Sequence, residues 1–236
     1  MSIEAEGYKP TPEEHLTDEA KREIGERVRF WNEFWKKHEF YGIKMDETEQ
    51  KHIEESINEL WPKAKEVFGD KTEIGYVPKG LISENLYKIL ILENSMPEKP
   101  FRGLSAKDFS GYMDPESVDM PRNSLNEGYA FAFASQEIPD ADSLGYDAKS
   151  SEEWLQSKEN LMTLHERLLA GIQFKKKTGQ DLDTKGNILY GTLCPSSKFE
   201  QYGKGERLVV TSREIATVQP NFKKSDFGVR RVITKK

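Results

Sequence analysis

The stretch Tyr129-Ala130-Phe131-Ala132-Phe133-Ala134 alternates an aromatic residue with alanine at every step. A period of two puts the three rings on one face of a β-strand and the three methyl groups on the other. Such a strand suits a place between a core and a closely packed neighbour. It also decides the fold class, because the segments before it read mainly as helix.

Upstream, Thr11-Pro12-Glu13-Glu14 is a helix start: Thr11 caps, Pro12 suits the first helical position and Glu14 completes a capping box. Ala20, Ile24, Val28, Trp31 and Trp35 then recur at three- and four-residue steps, Phe30 and Phe34 widen the stripe, and Gly42 ends it. Asp46 and Glu49 open a second helix carrying Ile53, Ile57, Leu60, Ala64 and Phe68 on one face. Pro62 should kink or break it near Trp61, and Gly69 closes it. The short connection predicts an antiparallel helical pair. Residues 74–77 read as a short strand. The apolar segment 81–92, capped by Ser83, fits helix or strand on length alone. Residues 94–150 are rich in Pro, Gly, Asp and Ser and read as ordered loop around the alternating strand.

Downstream, Ser150 and Glu153 cap a third helix with the stripe Trp154, Leu161, Leu164, Leu168 and Ile172. Lys175, Lys176 and Lys177 sit at its negative end, and Thr178-Gly179 terminates it. Four short strands follow, at 188–193, 207–211, 215–218 and 227–233. The prediction is an α+β protein: a helical region over 1–70, then an α+β domain over 71–236, standing apart or packed as one unit.

The net charge of −6 conceals an asymmetry. Residues 1–170 carry 35 acidic and 21 basic side chains, whereas 171–236 carry 6 and 14. The basic third can meet an acidic partner, a nucleic acid, or the acidic part of its own chain. Cys194 is the single cysteine, which excludes an internal disulfide and a cysteine-based zinc site. No apolar run reaches the roughly 20 residues of a membrane helix, and Met1-Ser2-Ile3-Glu4 has no signal-peptide character. The expectation is a cytoplasmic protein with no membrane partner.

Motifs of chemistry are missing. His15, His38, His52 and His165 have no ligand-like spacing. Asp140-x-Asp142 and Asp181-x-Asp183 begin like calcium loops, but Ser151 and Thr192 fall where the twelfth-position Glu belongs, so they read as turns. No nucleophile elbow is present, Pro195 spoils an S-x-x-K reading, and Gly203-Lys204-Gly205 is a turn rather than a phosphate loop. Asp226-Phe227-Gly228 lacks the catalytic loop that would make it a kinase motif. No cofactor, metal or catalytic residue is expected.

The pattern Gly145-Tyr146, Ser151-Glu152-Glu153-Trp154-Leu155, Lys177-Thr178-Gly179, Gly191-Thr192 and Ser225-Asp226-Phe227-Gly228-Val229-Arg230-Arg231-Val232-Ile233 resembles C-type-lectin-like and formylglycine-generating-enzyme-like domains. These include the variable proteins of diversity-generating retroelements. Gly191-Thr192-Leu193-Cys194 stands where that family has Gly-Gly-Ser-Trp, and a single cysteine cannot supply the catalytic pair of its enzyme branch. The resemblance implies a loop-rich unit with a mainly antiparallel sheet, its last strand inside the central sheet and an exposed ligand face. It places Tyr202, Arg207, Arg213, Gln219, Asn221, Phe222 and Lys223 on that face, side chains suited to binding a protein or other macromolecule without chemistry. The alternatives are a nucleic-acid or polyanion binder using the basic third, and an enzyme assembled from scattered Asp, Glu, His and Tyr.

Overall fold

The computed structural model describes residues 16–95, 127–199, 206–212 and 215–234. Helix α1 (Asp18–Lys37) begins at Thr17, whose hydroxyl accepts from Ala20 N; the Thr11 start lies outside the described residues. α1 stops short of Gly42. A single 3₁₀ turn (Glu39–Tyr41) intervenes before Gly42 turns the chain with φ 78°. Helix α2 (Glu47–Phe68) starts at Asp46, which accepts from Glu49 N, and ends at Gly69.

The break expected at Pro62 does not occur. A proline removes one backbone donor and crowds the preceding turn, at a cost of about 3 kcal/mol or more. Leu60, Trp61 and Ala64 around it are all buried, so packing against the core keeps the chain helical.

Strand β1 (Thr72–Val77), helix α3 (Ser83–Leu92) and strand β2 (Tyr129–Ala134) follow, so the segment ambiguous on length is a helix. β1 and β2 pair antiparallel over their full length. Opposite Phe131 sits Gly75, where a Cβ would lie 2.2 Å from the ring, so glycine there lets the ring cross the β1 backbone. Ala130, Phe131, Ala132 and Phe133 are all buried, which puts both faces of β2 in the interior. β1 is an edge strand, and side chains cover its carbonyls. Trp31 Nε1 and Gln173 Nε2 donate to Ile74 O at 2.9 and 3.1 Å, and Trp35 Nε1 donates to Tyr76 O at 3.3 Å.

The predicted third helix is two helices, α4 (Ser151–Gln156) and α5 (Leu164–Thr178), each entered through its own capping box, Ser150/Glu153 and Thr163/Glu166. Between them Lys158 takes φ 58°, and the backbone turns aside to bond the C-terminal tail: Val232 N to Asn160 O and Met162 N to Arg230 O.

A small hairpin, β3 (Thr184–Lys185) with β4 (Ile188–Leu189), precedes β5 (Gly191–Phe199), so the strand expected at 188–193 is divided at Tyr190. Then come β6 (Glu206–Val210), β7 (Ile215–Val218), β8 (Phe227–Gly228) and β9 (Val232–Thr234). One sheet has the order β7-β6-β5-β8, antiparallel except for β5 with β8; the other has the order β1-β2-β9 and is antiparallel throughout. The fold is α+β, with helices first and mainly antiparallel sheets after. The single terminal strand expected at 227–233 is split between the two sheets, with Val229-Arg230-Arg231 crossing from one to the other.

β5 and β6 alternate between two cores. Cys194, Leu208 and Val210 join the large one, with Trp31 and Trp35 of α1, Trp61 of α2, Phe131 of β2 and Leu168 of α5. Leu193 and Val209 join a smaller one with Trp154, Leu161 and Val229. Where they meet, Asp183 is fully buried in a left-handed conformation with φ 65°. Its carboxylate accepts from Arg167 Nε (2.8 Å), Thr192 Oγ1 (2.6 Å) and Arg230 Nη2 (2.7 Å). Burial opposes its charge, but the two guanidinium groups outweigh that and hold the carboxyl below its usual range.

Asp183→Ala leaves two buried arginines without their anion and is expected to destabilise the protein by about 3–5 kcal/mol. Urea unfolding measures this; a loss under about 1 kcal/mol would mean the cluster is not a structural anchor. A second outcome concerns acid. Burial lowers the His165 pKa from 6.5 to about 4, so the unfolded chain takes up this proton first. Stability should therefore fall as pH drops from about 6.5 to about 4, and this contribution should level off below. Comparing the pH dependence of unfolding with that of His165→Gln isolates it.

Candidate functional site

Of the residues assigned to the ligand face, Tyr202 and Arg213 lie outside the described residues. Arg207, on β6 opposite Val218, is half-buried, with Nε and Nη1 shielded from solvent. Gln219, Asn221, Phe222 and Lys223 come together in the turn after β7, all exposed. Phe222 N bonds Gln219 O at 3.0 Å to close that turn.

This turn is fastened to the segment that leads into α4. Gly145 N donates to Ser225 O at 2.9 Å, Glu152 N donates to Pro220 O at 3.1 Å, and Lys223 Nζ lies 2.8 Å from Glu153 Oε2. Lys223 and the Ser150 backbone hold the Glu153 carboxyl down at about 2. The junction brings in a residue the sequence reading did not choose: Tyr146, fully exposed beside Gly145. Gly145 has φ 108°, a conformation that sends the chain outward there. A large aromatic inside an Asp/Gly/Ser turn region was the available signal. Tyr146 and Phe222 thus stand on two loops tied to each other, with Leu155 of α4 also exposed.

Beneath these loops, Arg231 grips the Asp140-Ala141-Asp142 turn. Nη1 and Nη2 donate to the two oxygens of Asp142 at 2.8 and 2.9 Å, Nη1 reaches Asp140 Oδ2 at 3.2 Å, and the Arg231 backbone N donates to the same oxygen at 2.9 Å. Nε bonds Glu159. Burial pushes the Asp140 carboxyl up, while the hydrogen bonds from Arg231 lower that of Asp142. Both turns that begin like calcium loops therefore hold guanidinium groups: Arg231 on Asp140 and Asp142, Arg167 and Arg230 on Asp183. Among the described residues no group of three His, Cys, Asp or Glu side chains is placed to hold a metal, and no helix is long and apolar enough to cross a membrane.

Most described cations of the basic third are paired within the chain. Lys175 pairs with Asp181, Lys176 with Glu93, Lys177 with Glu73, and Lys224 with Asp226. Cys194 is buried, which raises its thiol pKa well above the range of a nucleophile. His52, Tyr76 and Glu49 do meet: His52 Nδ1 lies 2.8 Å from the Tyr76 hydroxyl, which donates to Glu49 Oε1 at 2.9 Å. Tyr76 is fully buried, and burial together with Glu49 raises its pKa. A phenol closed off in this way fastens α2 to β1 and offers no reacting atom to a substrate.

Comparison with protein-family models, with curated proteins and with solved structures finds no match to this chain.

Proposed function

We propose that the chain is a non-catalytic binding protein that engages a protein or other macromolecular ligand through the loop face around Tyr146 and Phe222. The observation that carries this is the exposure of both rings on loops already joined by backbone hydrogen bonds. Aromatic side chains contribute a disproportionate share of interface energy. Loops fixed in advance lose little conformational entropy on association. Asn221 and Lys223 add polar groups beside Phe222 in the same turn.

The reading extends to the C-type-lectin-like family, in the branch of variable proteins, and to a cytoplasmic setting. Helices followed by mainly antiparallel sheets support the family; a single buried thiol suits a reducing compartment. The polyanion reading draws less support, because most described cations of the C-terminal third already face carboxylates.

Tyr146→Ala and Phe222→Ala should each weaken partner binding by about 1–2 kcal/mol with little change in melting temperature. Tyr202→Ala and Arg213→Ala are expected to act the same way. Pull-down with the wild type, using the Tyr146/Phe222 double variant as control, supplies the partner for titration calorimetry. Unchanged affinity in all four variants moves the site elsewhere. A steep loss of affinity with added salt would favour phosphate contacts and the nucleic-acid reading instead.

A further inference from the structure

A cleft of about 370 Å³ opens between α1, β1 and α5, elements that supply none of the loop face. Its size falls within the range of small-molecule sites. On its floor lies Glu73, 3% exposed. The carboxylate accepts from Arg27 Nη2 at 3.2 Å, from Gln173 Nε2 at 3.0 Å, and from the Lys177 ammonium. Arg27 is held in place independently. Its Nη1 donates to Glu23 O at 2.8 Å, and its guanidinium lies 4.9 Å from the centre of the Trp61 ring.

Two cations share one carboxylate here, so the floor carries a surplus positive charge. The rim charges Lys176 and Glu23 are taken up elsewhere, by Glu93 and Lys65. Arg22 and Glu26 remain. They stand one helical turn apart on α1, exposed, and neither forms an ion pair with a described residue. Phe30, half-buried, adds an apolar wall.

A ligand that satisfies this cleft needs an anionic group for the floor and a cationic group for Glu26, with an apolar part for Phe30. A bare anion leaves Glu26 unanswered, and a polyamine meets the surplus positive charge of the floor. We propose that the cleft binds a small zwitterion of the α-amino-acid type. Its carboxylate lies toward Arg27, Lys177 and Arg22, its ammonium toward Glu26, and its side chain against Phe30. The site is separate from the loop face and does not depend on it.

Titration calorimetry on the full chain tests this with L-phenylalanine and L-leucine, each beside its N-acetyl form, which lacks the ammonium, and its amide, which lacks the carboxylate. A free amino acid should bind, and loss of either charge should weaken binding about tenfold, the effect of one ion pair worth about 1.4 kcal/mol. Glu26→Gln and Arg22→Gln change exposed side chains that have no ion-pair partner among the described residues, so both variants should fold normally. Glu26→Gln should weaken binding of the free amino acid about tenfold and leave the N-acetyl form as it was. Arg22→Gln should act on the carboxylate-bearing ligands only. The proposal is overturned if neither amino acid binds, if the acetylated or amidated forms bind as well as the free ones, or if Glu26→Gln binds like the wild type.

Discussion

The burial of Asp183 is the constraint on which the C-terminal half depends. Desolvating a carboxylate and two guanidinium groups costs several kcal/mol per ion unless every charge is met. Here two guanidinium groups converge on one carboxylate, and Arg230 Nη1 has no hydrogen-bond partner among the described residues. Arg167 comes from α5, Thr192 from β5 and Arg230 from the tail, and Arg230 also donates to Gln136 O at 3.1 Å. Asp140 lends Arg230 further negative potential. Removing Asp183 leaves both arginines buried without their anion. The chain must therefore bring a helix, a strand and its own terminus to one point. That requirement explains why the tail runs through the interior between β8 and β9 and does not lie as one strand along an edge.

Neighbouring side chains on an extended segment point to opposite sides, and the tail uses this alternation. Arg230 turns inward to Asp183, while Arg231 turns outward to Asp140, Asp142 and Glu159. One dipeptide thus fixes the core and the loop base together. The same economy applies to the charge asymmetry of the sequence. Lys176 reaches Glu93, where Lys37 and His38 converge as well; burial opposes the charge on that carboxyl, yet these donors hold it at about 2. Lys177 reaches Glu73. Lys176 and Lys177 thus join the basic C-terminal part to the acidic N-terminal part where α5 packs on β1 and beside α3.

Local signals were legible in the sequence and distant partners were not. The Asp46 cap, the Gly69 stop, the stripe through Ile53, Ile57 and Leu60, and the Phe/Ala alternation of β2 all depend on neighbours within a few residues. The break between α4 and α5 was missed because Leu161 and Leu164 continue a helical stripe, although Thr163 and Glu166 spell a second start. What diverts the chain there is the tail, some seventy residues later: Asn160 O takes the Val232 N–H. Asp183 looked like a turn residue for the same reason, since Arg230 lies 47 positions away. At the face, the resemblance groups Gln219, Asn221, Phe222 and Lys223, and all four are exposed. It could not show that Arg207 on β6 is half-buried, nor that Tyr146 joins the others across the Gly145–Ser225 bond.

What fixes the loop face is distinct from what the face presents. The two loops are joined by Gly145 N to Ser225 O and Glu152 N to Pro220 O, bonds between main-chain atoms that do not depend on side-chain identity. Their base is held from below by Arg231 on Asp140 and Asp142. Phe222 also meets the Phe227 ring, at 6.2 Å between ring centres, whereas Tyr146 and Asn221 take no part in these anchors. Their side chains can be exchanged without loosening the loops or opening the Asp183 cluster, so the energetic cost of holding the surface is met by one set of atoms and, under the proposed function, recognition is left to another. A scaffold arranged in this way can keep its fold while the side chains of its loop face change, which is the physical requirement that the proposed variable-protein reading places on it.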